Sequence, residues 1–182
     1  MRFLRKFLFI LPCLFVMCEA KGDLHDTYKF LLEDSIWVVP PSTLPAYQYA
    51  LGTATLVSDQ TVWVIQTYDR GYFFGDTYAG LNGTSTLSHM KMIGTITNEG
   101  KIYITFYPIG SAVAVSDLIN GIGSFQKEQG AYRFTMQMNS GNDVQGVSHW
   151  SYMVRAEEGS EYYNHLPGTG MSLPEFLSLF SE

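Results

Sequence analysis

Histidine is the side chain in this sequence best suited to acid–base chemistry, because its ordinary pKa lies close to neutral pH. His89 and His149 fall in predicted strands, whereas His25 and His165 fall in the segments that flank them. If His89 and His149 pointed into one cavity, they would supply a general base or two ligands of a metal site. The alternative is that each faces solvent, and the polar residues alternating with His149 favour that alternative.

The sequence lacks the motifs of the common catalytic and metal-binding classes. It has no Gly-x-Ser-x-Gly elbow, no His-Glu-x-x-His helix and no phosphate-binding loop. The acidic residues Glu157, Glu158 and Glu161 lack the alternating oxygen ligands of a calcium loop. We therefore expect no metal and no cofactor. Enzymatic activity stays open, with His89 or His149 as the general base of an isomerase or hydrolase.

The N-terminal residues predict export. Three basic residues within the first six positions precede an apolar run at 7–17. This run is too short to span a hydrocarbon layer of about 30 Å and suits a signal peptide. Cleavage after Ala20 would remove residues 1–20 and leave one domain, residues 21–182, in a secreted or periplasmic location. An uncleaved anchor is the alternative.

Cysteine and charge exclude several function classes. Cys13 and Cys18 both lie in the predicted leader, so the mature chain is expected to contain no cysteine. Thiol catalysis and disulfide bonds are then excluded, and stability must come from the hydrophobic core. The chain carries a net charge of −6 with scattered Lys and Arg. Because binding to phosphates needs clustered cations, we expect no nucleic-acid partner.

Turn sequences recur at short intervals and predict an antiparallel sheet. The segments 69–71, 98–100 and 128–130 each place glycine third, as three-residue hairpin loops require. Asn82-Gly83 suits a two-residue turn of type I′, and the same asparagine begins a glycosylation sequon, Asn82-Gly83-Thr84. Further turns are predicted at 58–60, 108–110 and 139–141.

The segments between the turns are rich in β-branched and aromatic residues, which favour strands. We predict strands at 35–39, 47–57, 61–68, 72–78, 85–97, 101–107, 111–118, 122–127, 131–138 and 146–156. A meander of this kind tends to close, because closure removes unpaired edges. The predicted fold class is all-β, an antiparallel meander that closes into a small barrel of about eight to ten strands.

Alternation of apolar and polar residues predicts which side chains face the core. Apolar residues occupy every second position from Tyr132 to Met138 and again from Trp150 to Val154. A sheet that covers a core with one face shows this pattern. We therefore place Phe134 and Trp150 on the apolar face.

The flanking segments predict two short helices and two loops. Residues 25–34 have apolar residues at helical spacing, and residues 172–175 form a capping box with proline in the first turn. Residues 40–45 and 157–170 are predicted loops.

Two of the predicted strands are too short for a membrane-spanning barrel. Strands that cross a membrane need about nine to eleven residues, whereas the predicted strands 72–78 and 101–107 have fewer. We therefore expect that the mature chain is not integrated in a membrane.

The order of elements resembles a calycin-type barrel. A short N-terminal helix, a first strand containing Ser35-Ile36-Trp37, a meander and a C-terminal helix carry this resemblance. Ile36 stands where lipocalins carry a glycine before the tryptophan, and their disulfides are missing. The resemblance implies a barrel architecture and assigns no function.

Aromatic residues on the predicted strands are the strongest functional indication. Inward side chains of a small barrel either fill its interior or line a pocket for one small ligand. The polar tips of Tyr and Trp favour a pocket, because they need partners when buried. We predict an exported barrel that binds a small apolar or aromatic ligand through Trp63, Tyr68, Tyr103, Phe134 and Trp150. Besides an enzyme, the alternative is a secreted protein that presents loops 40–45 and 157–170 to a macromolecule.

Overall fold

The computed structural model describes residues 24–40, 43–48, 52–81, 83–110, 118–140 and 147–181. The helices in these ranges are α1 (Leu24–Leu32), α2 (Glu161–Asn164) and α3 (Leu173–Ser178). The strands are β1 (Ser35–Val38), β2 (Thr43–Gln48), β3 (Thr53–Asp69), β4 (Tyr72–Leu81), β5 (Thr86–Ile96), β6 (Lys101–Pro108), β7 (Ile119–Glu128), β8 (Ala131–Ser140) and β9 (Val147–Arg155).

The strands form a closed antiparallel meander. Each strand from β3 to β8 pairs with the strand that follows it along the chain. Both β1 and β2 pair with β3 on one side and with β9 on the other, so they share one place in the sheet. The nine strands therefore make an eight-stranded barrel. The predicted all-β class, the meander and the closure are confirmed.

The turn predicted at 58–60 is wrong, because β3 runs through these residues without a break. Asp59 and Gln60 are buried within the ladder, and each makes its own hydrogen bonds. The Asp59 carboxylate accepts a bond of 2.7 Å from Thr61 Oγ1. The Gln60 side-chain oxygen accepts a bond of 2.8 Å from the Gly168 amide. These polar residues are strand positions with satisfied side chains, although polar clusters usually indicate turns.

The predicted loop at 40–45 is also partly wrong, because β2 begins at Thr43. Pro45 pairs with Leu56 of β3, whereas the β2 residues that also pair with β9 begin at Ala46. Proline has no backbone N–H, so a strand tolerates it where one side has no partner. Strand β4 also extends to Leu81, beyond the predicted 72–78.

Two of the hairpin loops are tighter than predicted. Asp69 pairs with Tyr72 and Glu128 pairs with Ala131, so each loop contains only two residues. The loop residues have positive φ angles, as a type I′ turn requires: Arg70 44°, Gly71 93°, Gln129 50° and Gly130 90°. The loop at 98–100 has the predicted three residues, with Gly100 at φ 76°.

Several predicted features lie outside the described residues. They are the leader 1–20, Asn82 of the sequon, most of the predicted strand 111–118 and the segment 141–146. The predictions made for these parts stay predictions.

Aromatic rings fill the barrel interior at one end. Phe134 lies at the centre, and its ring centroid is 4.8 Å from that of Trp37, 5.3 Å from that of Trp63 and 4.6 Å from that of Phe125. Helix α1 covers this end, where Tyr28 packs edge-on against Phe125 at 6.0 Å. The predicted N-terminal helix therefore acts as a plug, and the end it covers is called the α1 end below.

Helix α3 packs on the outer face of the barrel. Leu173 and Phe176 are buried there with Val38 and Val62. The predicted capping box is present, because the Ser172 amide donates to Glu175 and the Ser172 hydroxyl accepts from the Glu175 amide. No helix in the described segments has the length and apolar character needed to cross a membrane.

The apolar face predicted for β9 is inverted, whereas that of β8 is confirmed. Phe134 and Met136 are fully buried, and Phe134 pairs with Met153 of β9. Directly opposed residues share a face, so Met153 points inward and the residues two positions away do the same. Ser151 is accordingly buried, and Trp150 lies half exposed on the outer face.

A glycine in β5 makes room for a core ring. Gly94 pairs with Phe73, and a Cβ at position 94 would lie 2.0 Å from Phe73 Cζ. We expect Gly94→Ala to lower the free energy of unfolding by about 1–3 kcal/mol through overpacking. Urea denaturation measures the loss. Thr95→Ala on the outer face is the matched control and should change stability by less than about 0.5 kcal/mol. Equal midpoints for both variants would contradict this packing.

Candidate functional site

The barrel interior contains a cavity of about 80 Å³ at the end opposite α1. The connections β4–β5, β6–β7 and β8–β9 leave the barrel at this end. Four hydroxyl side chains face the cavity, from Thr61, Thr77, Ser88 and Ser151. Its apolar wall comes from Trp63, Ala79, Met90, Phe106, Ile119 and Met138. The interior therefore changes from aromatic at the α1 end to mixed at this end.

The hydroxyl groups differ in the hydrogen bonds that hold them. Thr61 donates to Asp59 at 2.7 Å, which leaves its oxygen able to accept another bond. Within the described residues Ser151 donates only to the Met153 sulfur at 3.6 Å, and a thioether is a weak acceptor. A ligand with one polar group can replace the weak Ser151 bond with a stronger one.

The cavity volume limits what can enter. An apolar cavity of about 150 Å³ holds one benzene molecule. The cavity here has about half that volume. It therefore accommodates a small molecule or the end of a longer one, with the remainder directed out of the barrel.

Three of the five predicted ligand-binding residues face the barrel interior. Trp63 lines the cavity and is buried against Phe134. Phe134 and Tyr68 belong to the packed interior and do not line the cavity. Tyr103 and Trp150 are 51% and 49% exposed. These two residues lie outside the barrel, so they are not brought together with Trp63.

The structure places Tyr103 and Trp150 on one row of the outer face. Tyr103 pairs with Ile122, Ile122 with Gln137, and Gln137 with Trp150. Ile122 is also half exposed. The aromatic residues predicted to bind a ligand thus belong to two groups, one in the packed interior and one on the exposed outer face. Amino-acid composition alone cannot assign a residue to one group or the other.

His89 lies on the outer face of the barrel, away from the cavity. Its Nε2 is 2.9 Å from Oδ1 of Asp76, a carboxylate that is only 2% exposed. Lys91 Nζ lies 2.7 Å from the same oxygen, and Gln66 donates to Oδ2 at 2.9 Å. The carboxylate thus joins β3, β4 and β5 through three donor side chains.

The charges around Asp76 determine its protonation. Burial alone would raise the pKa of Asp76, but the hydrogen bonds and charges of Lys91 and His89 outweigh it and lower the pKa below its ordinary value. The bond to Asp76 raises the pKa of Lys91 above its ordinary value. Asp76 is therefore a carboxylate at neutral pH, and Lys91 is its cationic partner.

Aromatic rings cover the His89 side of this network. Tyr78 stacks on His89 with ring centroids 4.3 Å apart, and Phe180 packs against Tyr78 at 5.1 Å. Phe180 follows helix α3, so the C-terminal residues shield His89 from one side. These contacts hold the His89 imidazole on the outer face of the barrel, and the ring does not point toward the interior.

Of the other histidines, the structure describes the side chain of His165, which does not join His89. His165 is exposed, and its amide caps α2 by donating to the Glu161 carbonyl. His149 pairs through its backbone with Met138, and its side chain and that of His25 lie outside the described part. Among the described residues, no group of three His, Cys, Asp or Glu side chains is arranged to hold a metal ion.

The predicted loop 157–170 is held against the barrel. It contains the short helix α2, and Leu166 is fully buried. The Gly168 amide donates to Gln60. A segment fixed in this way is poorly suited to adapt to a macromolecular partner.

Comparison with protein families, curated proteins and solved structures finds no match for this chain. The barrel class therefore follows from the structure itself, and the calycin-type resemblance stays a prediction about architecture.

Asp76→Asn tests the outer network. We expect a loss of about 1–3 kcal/mol at pH 7, because buried donors would face a weaker acceptor. The lowered pKa of Asp76 adds stability above its unfolded-state pKa of about 3.9, and this contribution disappears as the pH falls through the lower folded-state pKa. The difference between wild type and variant should therefore shrink as the pH falls below about 3.9.

Urea midpoints at pH 7, 5 and 2.5 provide the measurement. Asp69→Asn is the matched control, because the Asp69 side chain is exposed and lies 3.4 Å from the exposed Arg70. A gap between wild type and Asp76→Asn that is as large at pH 2.5 as at pH 7 would rule out this electrostatic role.

Proposed function

We propose that the protein is an exported β-barrel that binds a small, largely apolar or aromatic ligand in the cavity opposite α1. The observation that supports this best is the group of four inward hydroxyls around a cavity, within an interior that aromatic rings otherwise fill. Apolar walls with a few polar groups are typical of small-molecule sites.

The energetic cost of burying hydroxyls supports the proposal. A buried hydroxyl without a good partner costs about 1–3 kcal/mol, whereas an apolar side chain at the same place does not. Ser151 occupies such a position and has only a weak sulfur partner. A ligand group that bonds to Ser151 would offset this cost. We therefore expect the ligand to have a hydrogen-bonding group next to a short apolar or aromatic part.

The ligand proposal can be tested with Trp63, which lines the cavity. In a Trp150→Phe background, which removes the exposed tryptophan, titration with 1-butanol, whose alkyl end is narrower than a benzene ring, should change the emission saturably. Ala79→Leu should abolish the change because leucine would fill the cavity. Thr95→Leu places the same side chain on the outer face and should leave binding intact. Saturable binding that survives Ala79→Leu would place the site elsewhere, and no saturable change would refute the proposal.

Export forms part of the proposed function and has its own test. The basic and apolar N-terminal residues support cleavage after Ala20. The exported protein should begin at Lys21 by intact mass and should not react with maleimide, because Cys13 and Cys18 leave with the leader. Ala20→Asp should block cleavage. A product that retains Met1 and two reactive thiols would show that the leader is not removed.

A further inference from the structure

A second cavity, of about 440 Å³, lies at the α1 end of the barrel, where β8 begins and β9 ends. Its volume falls in the range of about 300–1,000 Å³ that small-molecule sites occupy. Leu31 of α1, Trp37 of β1 and Val154 of β9 supply apolar wall, and Tyr162 of α2 closes one side. With β8, which contributes Arg133, five elements thus meet around a space large enough for a complete small molecule.

Two arginines and one glutamate supply the charge of this cavity. Arg155 Nε lies 3.3 Å from the Glu157 carboxylate, so these two charges offset each other. In the described part of the chain, Arg133 forms no ion pair, and its Nε is buried without a hydrogen-bond partner. One positive charge is therefore left without a counterion at the cavity wall.

A guanidinium is never neutral in a protein, so Arg133 carries its charge at the cavity wall whether or not a ligand is present. Its Nε is buried, whereas the side chain as a whole is partly exposed and lines the cavity. Because this charge has no counterion among the described residues, an anion that entered the cavity would supply one, and the arrangement favours binding of an anion.

The chemistry of the site favours a carboxylate over a phosphate. The guanidinium is a planar fork whose parallel N–H groups match the two oxygens of a carboxylate. A phosphate would bring a second negative charge close to Glu157, and only Arg133 is left to balance it. The chain is acidic overall, at −6, so anions are not attracted from a distance and need this local charge.

We propose that the cavity beside Arg133 binds a small organic carboxylate, whose aromatic or aliphatic body packs against Leu31, Trp37 and Val154. This site lies at the opposite end of the barrel from the hydroxyl-lined cavity, and it does not depend on the proposed function of that cavity.

Calorimetric titration of the full protein with benzoate and with benzamide tests the proposal. Benzoate should bind saturably, and benzamide, which has the same shape without the charge, should bind at least tenfold more weakly. Inorganic phosphate should compete poorly with benzoate. Equal affinities for benzoate and benzamide, or no benzoate binding, would overturn the proposal.

Matched variants assign the binding to this cavity. Arg133→Met keeps the unbranched stem of the side chain but removes the guanidinium charge, and it should weaken benzoate binding at least tenfold, whereas Arg133→Lys should weaken it less. Glu157→Gln should strengthen binding several-fold, since it frees Arg155, and this variant decides the matter if Arg133→Met does not fold. Ala79→Leu should leave benzoate binding unchanged. Benzoate affinity that is insensitive to both Arg133 and Glu157 would refute the site.

Discussion

The packing of aromatic rings around Phe134 is the interaction on which the rest of the structure depends. Each edge-on or tilted contact of this ring contributes about 0.5–1.5 kcal/mol beyond burial, and Trp37, Trp63 and Phe125 all make one. Phe134 thereby fixes which face of β8 points inward. Because opposed residues share a face, it also fixes β9 through Met153. The placement of Ser151 inside and Trp150 outside follows from this one ring.

Most of the fold could be predicted from local patterns, because hairpin loops and helix caps depend on neighbouring residues. The three-residue loop at Gly100 and the capping box at Ser172 are examples. The break predicted at 58–60 failed for a non-local reason. Gln60 is satisfied by Gly168, which lies far away in the sequence. Strand β2 was missed similarly, since its proline is tolerated only because β9 has no pairing there.

The candidate sites were less predictable than the fold. Tryptophan is more hydrophobic than serine, so the local sequence predicted that Trp150 faces the core. The register with β8 shows instead that Ser151 faces inward and Trp150 faces outward. The inward hydroxyls of Thr77 and Ser88 could have been found by counting alternate positions from a residue known to be buried. Arg133 gives no signal in the sequence, because its place at the wall of this cavity depends on five elements that meet at the α1 end.

The two ends of the barrel differ in how their interior is packed, because the aromatic core fills only part of the length of the barrel. Aromatic rings and α1 close one end, and a separate cavity lies beside this plug, with Leu31 and Trp37 on one side and Arg133 in its wall. At the other end the interior side chains are smaller and carry hydroxyls, so space remains within the sheet. The Asp76 network and α3 brace the outer face over β3 to β5. The hydroxyl-lined cavity takes Thr61, Thr77 and Ser88 from these same three strands, so the bracing of the outer face also holds this part of the cavity wall in place.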